Sequence, residues 1–142
     1  TGIVYVRERK RCEEISSFLR QNGITADFYH AGLSKELRNA KQDSWIKGET
    51  RVIVATNAFG MGINKPDVRF FEYCLAHIGE QDKEKILIVG DSLTSDIKGG
   101  NSVGIKTCWY NPQGKPLEEG YQVDYEIHDL HDIYKVLGMF QG

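Results

Sequence analysis

Residues 86–110, ILIVGDSLTSDIKGGNSVGIKTCWY, hold one complete strand–helix–strand unit. Ile86 to Val89 is an unbroken apolar run, short enough to be a strand buried on both faces. Gly90 ends it, Thr94 or Ser95 stands where a helix cap is needed, and Gly99 and Gly104 mark the stop of a short helix. Thr107 to Tyr110 then resumes the extended pattern. A buried run, a helix and a second buried run are what a parallel sheet requires of its chain, because parallel neighbours need a long crossover between them.

The same alternation continues on both sides of this unit. Further strands are expected at Ile3 to Val6, Ala26 to Tyr29, Val52 to Ala55 and Tyr125 to Ile127. Between them, Cys12 to Gln21 puts Ile15, Phe18 and Leu19 on one helical face and Glu13, Glu14, Ser17 and Arg20 largely on the other, with Asn22-Gly23 as the stop. Ser34 is an N-cap for a second helix that runs through Trp45 and Ile46 to Gly48. Pro66 suits the first turn of a third, whose apolar stripe is Phe70, Phe71, Cys74, Leu75 and Ile78. His131 to Leu137 supplies a last short helix, and Asn111 to Gly120 is the one long loop. The expected architecture is α/β: a three-layer, Rossmann-like sandwich with a mainly parallel sheet of five or six strands and helices on both faces. One domain over residues 1–142 is expected, with no linker inside it.

Composition narrows the function classes. With 40% hydrophobic and 27% charged residues the chain is neither disordered nor fibrous. No run approaches the roughly 18 apolar residues of a membrane span, and no cleavable signal opens the sequence. The start at Thr1 rather than Met points to processing or a removed tag. Cys12, Cys74 and Cys108 are odd in number and widely spaced, which fits free thiols in a reducing, cytoplasmic setting better than disulfides or metal knuckles. The net charge of -2 conceals an asymmetry: residues 1–70 carry 12 Lys and Arg against 8 Asp and Glu, and the remainder 6 against 12. Such a contrast marks either a nucleic-acid-binding half or two halves of different origin.

Three segments, GIVYV (2–6), FYHAGLS (28–34) and VIVATNAFGMGINKPDVRF (52–70), resemble the second motor domain of RecQ-family DNA helicases over residues 2–70. The resemblance implies that Thr56, Gly60, Gly62 and Lys65 lie near a cleft coupling ATP binding to DNA contact. A helicase also needs a P-loop, and no G-x-x-x-x-G-K-[ST] occurs; the family's downstream arginine motif is absent as well, since the text changes after Phe70. Unwinding by this chain alone is excluded.

From residue 71 to about 138, carried by ILIVGDSLTSDIKGGNSVGIKTCWYNP (86–112), the chain resembles the C-terminal half of haloacid-dehalogenase-like phosphohydrolases. This resemblance implies Asp91 first and Asp96 second as ligands of a Mg²⁺ ion at the sheet's C-terminal edge, at low affinity at most. It also implies Lys65 and Thr56 as residual phosphate contacts. Both families place Lys-Pro at the entrance of a helix, which makes residues 65–67 a natural crossover point. The phosphohydrolases attack phosphorus with an aspartate just past their first strand. Here Ile3 to Val6 is followed by Arg7-Glu8-Arg9, and a guanidinium neither attacks phosphorus nor ligates Mg²⁺. No catalytic residue is therefore assigned.

The expected function is that of an engineered chimeric scaffold with no native catalysis, no cofactor and no partner. Two other readings are a Mg²⁺-dependent phosphohydrolase with an unrecognised nucleophile, and a weak nucleic-acid-binding module using Arg7, Arg9, Lys10 and Arg11. Glu8, Glu13 and Glu14 beside that basic cluster, with a pI near 6.1, favour a solvated helix end over a nucleic-acid contact. His30, His77, His128 and His131 share no metal motif, and Trp45 and Trp109 read as core. Any remaining pocket is expected at the strand C-terminal ends, where Thr56, Lys65 and Asp91 would converge.

Overall fold

The computed structural model of the chain describes residues 1–56, 72, 75–78 and 82–139. Six strands, β1 (Gly2–Tyr5), β2 (Ala26–Tyr29), β3 (Val52–Ala55), β4 (Leu87–Gly90), β5 (Lys106–Tyr110) and β6 (Tyr125–Ile127), form one sheet in the order β2-β3-β1-β4-β5-β6. Every neighbouring pair is parallel. Four α-helices, α1 (Arg9–Gln21), α2 (Lys35–Ile46), α3 (Lys98–Val103) and α4 (Ile133–Met139), are described around it. Residues 72 and 75–77 are helical too. The rest of the expected third helix, with Pro66, Phe70, Phe71 and Cys74, lies outside the described residues.

Period-two alternation along the strands sorts the core into two layers. Val4, Val52, Val54, Leu87, Val89 and Cys108 face α1, through Cys12, Ile15 and Leu19, and α4, through Ile133, Val136 and Leu137. Ile3, Tyr5, Ile53, Ala55 and Ile88 face the opposite way, onto Trp45 of α2, Ile78 and Val103 of α3. Both faces of the sheet are thus covered, as expected for an α/β sandwich. A smaller cluster of Leu93, Ile97 and Trp109 takes Tyr121 and Val123 from the segment between β5 and β6.

β1 sits in the middle of the sheet. Ile3 pairs with Ile53 of β3 on one side and with Ile88 of β4 on the other, so the segment up to residue 70 and the segment beyond it share a continuous ladder. The Trp45 indole donates to the Gly2 carbonyl at 3.1 Å, tying α2 to the start of that central strand.

Local chemistry explains the ends of the elements and where they depart from expectation. Ser34 caps α2, its hydroxyl accepting from the Leu37 amide at 3.2 Å. Ser34→Ala is expected to lower stability by about 1 kcal/mol, read as a shift of the urea midpoint with the slope unchanged. α1 starts at Arg9, three residues before the apolar periodicity begins, because Arg9, Lys10 and Arg11 form a polar first turn that a hydrophobic pattern does not register. The turn after β4 is capped by Ser92, not by Thr94 or Ser95. Its hydroxyl accepts from the Ser95 amide at 3.2 Å, and its carbonyl accepts from the Ile97 amide at 3.1 Å, giving one wide π-helical turn over Leu93–Ile97. α3 follows and ends at Gly104, whose φ of 80° requires glycine's freedom.

The loop after β5 is held by Asn111, whose amide donates to the Lys115 carbonyl at 2.8 Å and to Glu126 Oε2 at 3.1 Å while its own oxygen accepts from the Lys115 amide. Among the described residues, no helix is long and apolar enough to cross a membrane.

Candidate functional site

β1 hands the chain through α1 toward β2, while its neighbour β4 hands it through α3 toward β5. Connections leaving adjacent strands in opposite directions open a crevice at their carboxyl ends. A cleft of about 180 Å³ lies there, lined by Arg7, Glu8 and Arg11 after β1, Asp91 after β4, Tyr110 at the end of β5, and Leu130.

Arg7 and Asp91 meet across this crevice. Arg7 Nε donates to Asp91 Oδ2 at 2.6 Å, with side chains 79% and 29% exposed. The Trp109 indole donates to the Asp91 carbonyl at 3.2 Å and fixes the loop that presents the carboxylate. At this exposure the pair contributes about 0–1 kcal/mol to stability, so its interest lies in which charge it places beside Asp91. Arg11, on the next turn, is held by a hydrogen bond with Tyr110, the main reason its pKa is raised, and by Glu14 at 3.2 Å.

Asp96 behaves differently from Asp91. Its residue is 3% exposed, and its Oδ2 accepts from the Ser92 amide at 3.1 Å, directly over Gly90. Burial pushes its pKa up to about 7. The Ser92 amide pulls it back, the Asp91 charge adds to the rise, and Arg7 opposes it. One carboxylate thus faces the crevice with a guanidinium on it, and the other turns inward to brace the β4 turn.

Of the residues singled out in the sequence, Asp91 lines the cleft. Thr56 stands half-buried at the end of β3, its amide donating to the Tyr29 carbonyl at 3.2 Å, and it is not part of the cleft lining. Lys65, with Gly60 and Gly62, lies outside the described residues. Arg7, expected as part of a solvated helix end, is exposed just before α1 and is also bonded to Asp91. Arg11, Tyr110 and Leu130 were not singled out for the site. Their signal is positional, since each follows or ends an element at the crevice, and it is readable only once the strand order is known.

Among the described residues, no three or more His, Cys, Asp or Glu side chains form a group that could hold a metal. His128 Nδ1 lies 2.7 Å from the Asn111 carbonyl, and His131 packs edge-on against Phe18 at 4.7 Å with Nδ1 2.8 Å from Asp129. The Cys12 thiol is buried, donates to the Val54 carbonyl at 2.7 Å and has its pKa pushed up to about 11 by burial, while Cys108 rises to about 12 for the same reason. Neither thiol is poised as a nucleophile.

Two families match the chain and overlap in its middle: helicase conserved C-terminal domain over residues 1–90, and HAD-hydrolase-like over residues 62–133. ATP-dependent DNA helicase Q-like 2 of Arabidopsis thaliana is 54% identical over 70 residues, 49% of this chain and 10% of that protein. HAD-hydrolase YfnB of Bacillus subtilis is 42% identical over 78 residues, 55% of this chain and 33% of that protein. The chain therefore spans a tenth of the one relative and a third of the other. The crystal structure of YfnB bound to magnesium superposes with a TM-score of 0.57 at 32% identity, over 87% of this chain and 53% of that one. The C-terminal domain of Saccharomyces cerevisiae Dbp5 superposes at 0.51 with 15% identity over 99% of this chain and 67% of that one, a likeness of fold alone.

Proposed function

Because the chain belongs both to the helicase C-terminal domain family and to the HAD-hydrolase-like family, we propose that it is a composite α/β scaffold that turns over no phosphate ester. In this reading residues 1–70 and 71–142 are the two halves of one folding domain, joined near Lys65-Pro66 as an engineered recombination would join them. Its setting is reducing and cytoplasmic, in keeping with the buried free thiols Cys12 and Cys108.

The observation that carries the reading is the Arg7–Asp91 pair. Arg7 occupies the position just beyond the end of β1, on the crevice, where the resemblance to the phosphohydrolases implies a nucleophilic aspartate. A guanidinium is a permanent cation without a usable lone pair, so it neither attacks phosphorus nor shuttles a proton at neutral pH. Glu8, one residue further on at the N-cap of α1, also lines the cleft.

In this reading the carboxylates Asp91 and Asp96, among the described residues, are poorly disposed for a magnesium ion such as that of the YfnB structure. Mg²⁺ takes one or two carboxylates plus water or phosphate oxygens. Asp91 already accepts from Arg7, and the Asp96 carboxylate is turned into the β4 turn.

The test is hydrolysis of p-nitrophenyl phosphate by the purified, folded protein with and without Mg²⁺, against Asp91→Asn. The expected result is a rate at background in all samples. Metal-dependent turnover abolished by Asp91→Asn would overturn the reading and establish the second one, a HAD-type phosphohydrolase. That alternative is favoured by the intact GDSLTSD segment (90–96) and its similarity to YfnB.

A further inference from the structure

We infer that Arg7 is the resident cation of the crevice: its guanidinium takes the place of a divalent ion beside Asp91 and keeps such an ion out. The inference rests on the scaffold reading and adds to it which charge the cleft selects. Four observations converge on it. Asp91 is the carboxylate at the β4 end of the cleft, and its Oδ2 accepts from Arg7 Nε at 2.6 Å. Asp96, the other acidic residue of the β4 loop, is held inward by the Ser92 amide and is 3% exposed. The first turn of α1 contains no acidic residue, and on the β1 side of the cleft the two guanidinium groups of Arg7 and Arg11 outnumber the one carboxylate, Glu8. Arg7 belongs to the segment before the join and Asp91 to the segment after it, 84 positions apart.

Charge and geometry give the consequence. A divalent ion approaching Asp91 must displace the guanidinium and then remain near two arginines, with Asp91 and Glu8 as the carboxylates on the described lining of the cleft. The Arg7 side chain is mostly exposed, so removing it leaves the core untouched. Arg7→Ala frees the Asp91 oxygen. Arg7→Asp frees it and adds a further carboxylate at the carboxyl end of the neighbouring strand, in the spacing that parallel strands impose.

The probe is Mn²⁺, titrated into the full chain at low ionic strength and followed by the electron paramagnetic resonance signal of the free ion. Circular dichroism and the thermal midpoint establish that each variant is folded. The expected result is no saturable, Asp91-dependent binding by the parent, a gain of a few-fold for Arg7→Ala, and a gain on the order of tenfold or more for Arg7→Asp. Asp91→Asn in the Arg7→Asp background is expected to abolish the gain, and the thermal midpoint of Arg7→Asp alone is expected to rise with Mn²⁺. Parent binding as tight as that of Arg7→Asp and lost on Asp91→Asn would overturn the inference. So would folded Arg7→Ala and Arg7→Asp proteins that gain nothing. Binding by the parent without turnover sinks this inference and leaves the scaffold reading in place, whereas turnover in the phosphatase assay sinks that reading.

Discussion

Gly90→Ala is expected to lower stability by about 3 kcal/mol. Gly90 ends β4 in the centre of the sheet, and the Asp96 side chain lies directly on it. A Cβ at residue 90 would stand 2.6 Å from Asp96 Cβ and overlap its carboxylate. Neither side has an easy retreat. Asp96 is tied to the Ser92 amide, Ser92 in turn holds the Ser95 amide, and β4 is paired on both edges, with β1 and β5. Urea unfolding monitored by tryptophan fluorescence measures the loss. In a double-mutant cycle Asp96→Gly removes the colliding atoms, so the two losses should fall short of additive by more than about 1 kcal/mol. An unchanged midpoint for Gly90→Ala would mean that the turn shifts freely, contrary to the bonding described.

The second large effect is a dependence of stability on pH set by Asp96. Its carboxyl has a pKa of about 7 when folded against 3.8 for the free side chain, chiefly because burial disfavours the charge. Below about pH 4 both states are protonated and no penalty exists. As pH rises from there to 7 the unfolded chain gives up the proton while the folded one keeps it. The folded state then binds more protons and stability falls, by on the order of 4 kcal/mol once both forms are ionised. Asp129 acts with the opposite sign: its pKa is lowered by the His131 amide and ring, so its contribution is present at neutral pH and fades in acid, and its exposed position makes it the lesser effect. Asp96→Asn retains an acceptor for the Ser92 amide and removes the buried charge. The variant is expected to be more stable than the parent at pH 8 and to show little slope between pH 5 and 8, measured by urea unfolding at both pH values. A parent and variant with parallel profiles would show that Asp96 ionises in the fold without cost.

These two effects come from contacts that the sequence shows only in part. The strands were legible to within a residue at either end, because runs such as LIVG (87–90) and VIVA (52–55) have no other stable place than a sheet buried on both faces. The caps were partly legible. Ser34 stands alone before its helix, whereas Ser92, Thr94 and Ser95 compete within four positions and only the φ and ψ of the turn decide for Ser92. Strand order was not legible, since no local residue states on which side of β1 the chain returns. The Arg7–Asp91 contact follows from that order, which is why Arg7 read as a solvated helix end. Thr56 was legible as the end of a strand, but the crevice opens between β1 and β4, on the other side of β1 from β3.

The central place of β1 also governs how the chain acquires its structure. Gly2 finds one neighbour at Val52 and the other at Leu87, so the sheet closes across a separation of 85 residues before β1 is covered on both edges. A nucleus that needs such a distant pairing forms slowly, because loop-closure entropy must be overcome before the contacts reward it. Until Leu87 to Val89 arrive, a chain that has already paired β1 with β3 presents a bare edge of Gly2, Ile3 and Val4 with unpaired amides and carbonyls, a template for another copy. Truncations ending before residue 87 therefore belong in the insoluble fraction, and the half of the chain that brings β4 serves the other half as the strand that seals it.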